Sequence, residues 1–392
     1  MFVVVAAGAF IAVVLLTAAA VYAARLVVRE PGSHHLVAYK LGAGGHTIFF
    51  TDEPATRMPG EYGLWFGQGR EGGPHARVGD ILSVSADERT VERAVLAVHG
   101  GSLKRQGRGL WTGHVFATPD EIQVPFATVS LGADGHLPGW VFTPPSAIEQ
   151  QSRPWVVHVH GIRTTRLTTL RNVKLVSRLG MVSVVPSFRT DQENVGAAGG
   201  SSTLGLAEWE DIDLALAYAE AHGAKSVILF GLSLGGMISL LLTRRSAHRH
   251  LIAGAILVAP VTNFRATLEY AAAQRRLPRW IGRLAANVLG SSLLYRFTGT
   301  PFPLDFAQLE VNTSDTEMNV PSLIIHSPID DEVPFEESVQ FARHHPETVT
   351  LNSELRAFHT VEWNLDPDRF EAVVVRWLTD TGILGGELPE RA

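Results

Sequence analysis

Three short segments carry the side-chain types needed for acyl transfer by a serine nucleophile. Ser233 stands in "GLSLGG" directly after an apolar run, Asp330 and Asp331 stand in "PIDDEVP", and His359 follows "ELRAF". A serine hydroxyl attacks a carbonyl when a histidine takes its proton and a carboxylate orients that histidine. A simpler interpretation of Ser233 is that it caps the helix expected over Met237–Leu242.

These candidate residues follow apolar segments that are typical of buried strands. From residue 155 onward, strands alternate with amphipathic helices, and the predicted strands are "WVVHVHG", "MVSVVPSF", "SVILFG", "IAGAILVAP", "PSLIIHS" and "ELRAF". Strands that are apolar throughout predict a parallel sheet covered by helices on both faces. Functional groups collect at the carboxyl ends of such strands, so Ser233, the Asp330–Asp331 pair and His359 are expected to converge there.

Five motifs occur along the second part of the chain: "HGI" (160–162), "LGLAEWEDIDLALAYA" (204–219), "GLSLGG" (231–236), "DDEVP" (330–334) and "HTVEWN" (359–364). With them, residues from about 127 to 385 resemble the α/β-hydrolase superfamily, and within it bacterial hydrolases of the serine-aminopeptidase (S33) type, many with an N-terminal membrane segment. The resemblance implies an α/β-hydrolase fold, with a mostly parallel sheet, helices on both faces and a helical lid insertion. It also implies catalytic roles for Ser233, Asp330 and His359, in the order typical of that fold.

The choice between neighbouring candidates rests on spacing and on the expected elements. Asp330 fits the D-x-x-V-P spacing of the relatives and Asp331 does not, so Asp331 is expected to be a solvated loop charge. His344 and His345 also follow Asp330, but they lie in a polar helical stretch, whereas His359 ends a predicted strand. His326, at the end of the strand before Asp330, is expected to make a structural hydrogen bond.

The oxyanion hole requires two backbone N–H groups that face the developing charge. One is expected from Leu234, the residue after the nucleophile. The residue that follows "HG" in the relatives points to Ile162 as the other.

No metal or cofactor is expected. His158 and His160 could share one face of a strand, but a hydrolytic zinc site of the H-x-H-x-D-H kind would need an acid and a histidine at the positions of Ile162 and Arg163. The "GQGREG" segment at 67–72 is followed by Gly73 and Pro74 rather than by a helix, so it predicts a loop and not a nucleotide site.

Composition limits the classes of partner. The chain has 392 residues and a formal charge of -6, without the basic excess that a nucleic-acid partner requires. It has no cysteine, which excludes disulfides and a cysteine nucleophile.

The N-terminal segment 2–24, "FVVVAAGAFIAVVLLTAAAVYAA", has no charged side chain. About 20 apolar residues suffice to span a bilayer, so a single transmembrane anchor is predicted. A signal peptide cleaved after "VYA" and a buried core helix are the alternatives. Arg25, Arg29 and Lys40 follow the segment and favour a cytoplasmic position for the rest of the chain.

The sequence therefore predicts a transmembrane anchor (1–29), a tether and small β-rich region (30–126, with the tether over 30–50) and an α/β-hydrolase domain (127–392). A lid insertion is expected at about 262–318. Its apolar residues Trp280, Ile281, Leu284 and Val288 would either close over an apolar substrate or pack on the body of the domain.

The expected function is membrane-anchored hydrolysis of carboxylic esters with an apolar acyl group. A peptidase of the aminopeptidase type is the alternative within the enzymes, but the segment 262–300 offers only Glu269 to hold a substrate amine. A catalytically silent binding module is the alternative among proteins that are not enzymes. The substrate is expected to be a small-molecule ester or peptide, and the sequence predicts neither its identity nor the oligomeric state.

Overall fold

The computed structural model describes residues 2–29, 35–67, 71–132, 135–149, 152–191, 200–313 and 317–384, without the side chains of residues 2–13, 148 and 149. Ten helices are found in this part of the chain: α1 (Phe2–Val28), α2 (Pro145–Glu149), α3 (Leu170–Arg178), α4 (Glu208–Ala221), α5 (Leu234–Arg245), α6 (Phe264–Gln274), α7 (Arg279–Gly290), α8 (Phe335–His344), α9 (Glu362–Leu365) and α10 (Pro367–Asp380). The "GQGREG" segment lies partly outside the described residues.

Six strands close into an antiparallel barrel before the hydrolase-like part begins. They are β1 (His35–Leu41), β2 (Thr47–Thr51), β3 (Tyr62–Trp65), β4 (His75–Ser85), β5 (Thr90–His99) and β6 (Gln106–Thr112), in the spatial order β1-β2-β5-β4-β3-β6, with β6 paired back to β1. Alternate side chains fill the interior, as Val37 and Tyr39 do on β1. The tether prediction is wrong for residues 35–50, because two short alternating runs in that segment pair into the barrel.

The remaining strands form one eight-stranded sheet in the order β14-β13-β12-β11-β9-β10-β8-β7. They are β7 (Phe126–Leu131), β8 (Leu137–Phe142), β9 (Trp155–Val159), β10 (Ser183–Pro186), β11 (Val227–Leu232), β12 (Ile252–Val258), β13 (Ser322–Ile325) and β14 (Val349–Asn352). The pairs β7–β8 and β8–β10 are antiparallel, and the other neighbours are parallel.

Helices cover both faces of this sheet, as the apolar strands require. Along β11 the side chains alternate: Leu229 packs with α4 and α5 on one face, and Ile228 and Phe230 pack with α3 and α10 on the other. Each face of the sheet packs against its own buried apolar cluster, and this packing on both sides fixes the positions of the strand ends.

The predicted strand before His359 is absent. The last strand of the sheet, β14, ends at Asn352, and residues 353–357 have no regular secondary structure. His359 therefore stands in a turn just before α9 rather than at a strand end.

The C-terminal half of α1 packs against the insertion between β12 and β13. Ala20, Ala24 and Val28, spaced four residues apart, are buried in the same apolar cluster as Ala285 and Leu289 of α7. Small side chains at this spacing allow the two helices to approach closely. Among the residues that the structure describes, no helix is both long enough and apolar enough to cross a membrane.

Candidate active site

Ser233 lies at a sharp turn between β11 and α5. Its backbone has φ 53° and ψ -113°, a conformation that side chains with a Cβ rarely adopt. Gly235 permits this turn, because a Cβ at that position would lie 2.1 Å from the carbonyl oxygen of Val159. Ser233 makes no side-chain capping bond to α5, so the capping interpretation is wrong. Its hydroxyl instead lies 2.8 Å from Nε2 of His359.

His359 is held from its other side by Asp330. Nδ1 of His359 lies 2.7 Å from Oδ2 of Asp330, whose side chain is buried. The second carboxylate oxygen, Oδ1, accepts the backbone N–H groups of Glu332 and Val333, each at 2.8 Å. The structure thus brings together three residues that are 97 and 29 positions apart along the chain (233 to 330, 330 to 359).

The ion pair shifts both titrations in the directions that stabilise it. Burial opposes a charge on the imidazole, but the neighbouring Asp330 carboxylate raises the pKa of His359 above its ordinary value. Burial likewise opposes the charge on Asp330, and the charges and hydrogen bonds of His359 and His326 outweigh it, so the pKa of the Asp330 carboxyl is lowered. The carboxylate is therefore ionised at neutral pH and orients a basic imidazole.

The rival residues have other partners. Asp331 accepts the backbone N–H of His359 at 3.1 Å, so it contacts the main chain of His359 and not its imidazole. His344, at the end of α8, donates to the carbonyl of Asn312 at 2.7 Å. His326 has its Nδ1 2.7 Å from the Ser338 hydroxyl and its Nε2 3.2 Å from Oδ2 of Asp330. Two histidines, His359 and His326, thus flank the carboxylate of Asp330, whereas the sequence indicated only a structural hydrogen bond for His326.

The two residues predicted for the oxyanion hole lie next to the serine. Leu234 is the first residue of α5, where backbone N–H groups have no acceptor within the helix. Ile162 lies in the turn after β9 and lines the same cavity as Ser233. Gly161 brings that turn close, since a Cβ there would be 3.4 Å from the Cβ of Ser233.

The histidines of "HVHG" are engaged in separate buried contacts. Nε2 of His160 lies 2.9 Å from Oδ2 of Asp191, and its ring stacks on Phe188 at 4.0 Å. Nε2 of His158 lies 3.1 Å from the hydroxyl of Ser183. Within the described ranges, no group of three or more histidine, aspartate or glutamate side chains is arranged to hold a metal ion.

A cavity of about 700 Å³ opens from Ser233 and His359. Its wall comes from two parts of the chain: the hydrolase-like part contributes Arg163 and Thr164, and the barrel contributes residues such as Met58 and Trp111. The sequence carried no motif that pointed to the barrel as part of the site.

The helical insertion contributes little to this wall. Among the described lining residues it supplies Gln274 and Arg275. Its apolar stripe is used otherwise: Val288 is buried in the core, Leu284 packs against that core, and Trp280 is 51% exposed. For Val288 and Leu284, the structure shows packing on the body of the domain.

Glu362 is a buried carboxyl group that sequence reasoning missed, although it lies in the "HTVEWN" motif. Neither of its carboxyl oxygens has a hydrogen-bond partner among the described residues. Burial raises the pKa of Glu362 to about 8, with a further contribution from the charge of Asp330. At neutral pH it is mainly uncharged, and it therefore does not compete with Asp330 as the anionic partner of His359.

Comparisons with known proteins agree with this architecture. Residues 156–379 match the model of the family described as "Alpha/beta hydrolase family", and residues 39–112 match one described as "Domain of unknown function (DUF8805)". No protein of curated function matches the chain.

Similar solved structures include the Pyrococcus furiosus esterase Pf2001, with 17% identity and a TM-score of 0.51, which covers 67% of this chain and 95% of that chain. A putative hydrolase from Agrobacterium vitis S4 is 22% identical with a TM-score of 0.45, covering 65% of this chain and 98% of that chain. At these identities, the first of the two supports the fold alone.

Proposed function

The chain belongs to the alpha/beta hydrolase family and is a hydrolase, and from that premise we propose that it cleaves carboxylic esters with Ser233 as nucleophile, His359 as base and Asp330 as the orienting acid. The observation that carries the proposal is the continuous chain from the Ser233 hydroxyl to His359 Nε2 (2.8 Å) and from His359 Nδ1 to the Asp330 carboxylate (2.7 Å) at the mouth of a cavity.

The chemistry follows from this arrangement. Ser233 Oγ attacks the ester carbonyl carbon while its proton passes to His359 Nε2, and the carbonyl oxygen becomes an oxyanion that accepts the N–H groups of Leu234 and Ile162. The C–O bond to the alcohol then breaks, and the alcohol leaves with the proton from His359. Water, deprotonated by His359, attacks the resulting acyl-enzyme and releases the acid and the free Ser233.

A peptidase of the aminopeptidase type is a second candidate because of the acidic residues on the cavity wall. Glu71, Asp331 and Glu332 all line the cavity and could hold a substrate ammonium group. Glu269, the acid that the sequence offered for this purpose, is paired instead with Arg283 at 2.8 Å.

Rates with p-nitrophenyl esters and with aminoacyl p-nitroanilides separate the two candidates. We expect ester hydrolysis to dominate, and Ser233→Ala to abolish it. Ser246→Ala is the matched control, since this serine lies at the other end of α5 and bonds to Asp213. Full activity in Ser233→Ala would refute the nucleophile, faster anilide cleavage would favour the peptidase, and inactivity toward both substrates would favour a silent binding module.

We also propose that residues 2–24 hold the enzyme at a membrane, with the hydrolase on the cytoplasmic side. The segment has no charged side chain. On the described part of α1, Leu15 is 64% exposed and Tyr22 is 65% exposed. Large apolar side chains exposed on the same helix favour contact with lipid or protein. Arg25, Arg29 and Lys40 favour the cytoplasmic side.

Fractionation and a topology reporter test this attachment. The full chain is expected in the membrane fraction, with a reporter that works only inside the cell active when fused after Ala392. A mature N-terminus near Ala24 would show that the segment is removed, and an inactive reporter alongside an active external one would reverse the orientation.

A further inference from the structure

The barrel is placed so that it forms part of the catalytic cavity, and we propose that it supplies the subsite for an apolar chain of the substrate. The proposal rests on the ester hydrolysis proposed above and assigns a role to the six-stranded barrel. The helical insertion, which the sequence predicted as a lid over an apolar substrate, contributes the polar Gln274 and Arg275 among the described lining residues.

The barrel side of the cavity wall carries a group of six apolar residues beside the polar His35, Glu71, Thr112 and His114. Its apolar lining residues are Pro54, Ala55, Met58, Tyr62, Leu110 and Trp111. The wall opposite is mixed, with the polar Thr164, Thr168 and Asp331 and the apolar Ile162, Leu232 and Phe358. A substrate that places its reacting carbonyl at Ser233 can therefore lay an apolar chain along the six apolar residues of the barrel side.

The loop that carries Ala55 and Met58 is fixed by a buried arginine. Arg93 on β5 is fully buried, and its guanidinium donates to the carbonyl oxygens of Thr56 (2.9 Å), Met58 (2.7 Å), Gly60 (2.6 Å) and Gly79 (2.8 Å). Hydrogen bonds from a charged donor are stronger than neutral ones. Three of the four bonds hold this loop in place, and the fourth fixes the arginine itself to Gly79 on β4. A loop held in this way is what a preformed subsite requires.

Aromatic rings complete this wall. Tyr62 and Trp111 stack with their ring centroids 5.0 Å apart, and Phe50 packs edge-on against Trp111 at 4.9 Å. The guanidinium of Arg93 lies 5.3 Å from the Tyr62 ring and 5.4 Å from the Trp111 ring. Because the same arginine holds both the loop and the rings, the apolar wall is one packed unit.

The barrel is also tied to the loop that carries the catalytic base. Arg171, buried on α3, donates to the carbonyl of Gly113 at 3.0 Å and also to the carbonyl of Thr360, the residue after His359. The side-chain amide of Asn364 donates to the backbone carbonyls of Glu61 (2.6 Å) and Gly113 (3.0 Å), and the backbone carbonyl of Asn364 accepts the N–H of Glu61 at 3.0 Å. The apolar wall and His359 are therefore held in one frame.

The consequence is a dependence of rate on chain length. Each methylene that leaves water for this wall should raise kcat/KM about fourfold until the wall is filled. Two series of substrates locate the chain: p-nitrophenyl esters from acetate to dodecanoate lengthen the acyl side, and acetate esters of longer and longer alcohols lengthen the leaving side.

The test compares the full-length enzyme with three variants. Met58→Gln places an amide where the chain would lie, and it should lower the ratio of kcat/KM between long and short esters about tenfold in one of the two series. Ala55→Phe fills the subsite and should move the optimum to a shorter chain. Leu82→Gln is the matched control, because Leu82 lies on β4, is exposed and is outside the cavity lining, and it should keep the wild-type ratio.

The outcomes distinguish this inference from the function on which it rests. The series in which Met58→Gln lowers the ratio identifies the acyl or the alcohol chain. An unchanged ratio in both series, with Ser233 labelled by a fluorophosphonate at the wild-type rate, would overturn the subsite and leave ester hydrolysis standing. A wild-type enzyme that cleaves no ester and is not labelled would overturn both.

Discussion

Replacing Asp330 with asparagine is expected to remove most of the activity while the fold remains. Oδ1 of Asp330 accepts two backbone N–H groups at 2.8 Å, so the amide oxygen of asparagine must take that position. The amide NH₂ then faces Nδ1 of His359, which becomes an acceptor and leaves the proton on Nε2. In that tautomer the histidine cannot take the proton of Ser233.

The expected loss for Asp330→Asn is on the order of 10⁴-fold in kcat, or about 5.5 kcal/mol of activation free energy. Asp331→Asn is the matched control, since an asparagine oxygen can still accept the backbone N–H of His359 that Asp331 accepts at 3.1 Å. Losing only the charge on that bond should cost about 1 kcal/mol, or roughly fivefold.

The assay is kcat and KM with one p-nitrophenyl ester for both variants, with thermal melting to show that each is folded. Asp331→Asn should therefore be about 2,000-fold more active than Asp330→Asn. Equal activities in two folded variants, or the greater loss in Asp331→Asn, would refute the assignment of the acid.

Three further predictions concern the surroundings of the site. Asp330 raises the pKa of His359, and the base must be neutral, so kcat/KM of the wild type should fall toward acid pH with an apparent pKa above about 6.5. In Asp330→Asn, the residual activity should begin to fall only at a lower pH. A wild-type acid limb with an apparent pKa below about 6.5 would contradict this prediction. The pKa of Glu362 is raised to about 8, so between about pH 4.3 and pH 8 the folded state keeps a proton that the unfolded state has lost. The free energy of unfolding should therefore decrease by about 1.4 kcal/mol per pH unit over this range, and denaturant titrations should show a smaller slope for Glu362→Gln. Equal slopes in the two proteins would contradict this prediction. Arg171→Ala removes the donor to the carbonyl of Thr360 and one of the two donors to the carbonyl of Gly113, which keeps its bond from Asn364. The variant should lose about 3 kcal/mol of unfolding free energy and be less active on esters of every chain length. A loss confined to long chains would contradict a role at the His359 loop.

The part of the site that local sequence determines could be predicted. The turn at Ser233 depends on its immediate neighbours, because Gly231 and Gly235 supply positions where a Cβ would meet backbone atoms at 2.4 Å and 2.1 Å. The apolar strands β9, β11 and β12 likewise carry enough signal to indicate a parallel sheet.

The rest depends on contacts between distant segments. His359 was expected at the end of a strand, but its turn is held by Asp330, Asp331 and Arg171, which no local pattern links to it. The barrel closes through the pairing of β1 with β6, about 70 residues away, so the short alternating runs of that region could not show it. An apolar stripe such as that of α7 predicts burial but does not say against which partner, and here the partners include α1.

The central claim, that Ser233 forms the acyl-enzyme, is tested most directly by locating the covalent adduct. The full-length enzyme would be treated with a fluorophosphonate, digested and analysed by mass spectrometry, alongside Ser233→Ala. We expect a single stoichiometric adduct on the peptide that contains Ser233, and none in the variant. An adduct on another residue with Ser233 unmodified, or hydrolysis of esters that continues after complete labelling, would contradict the mechanism.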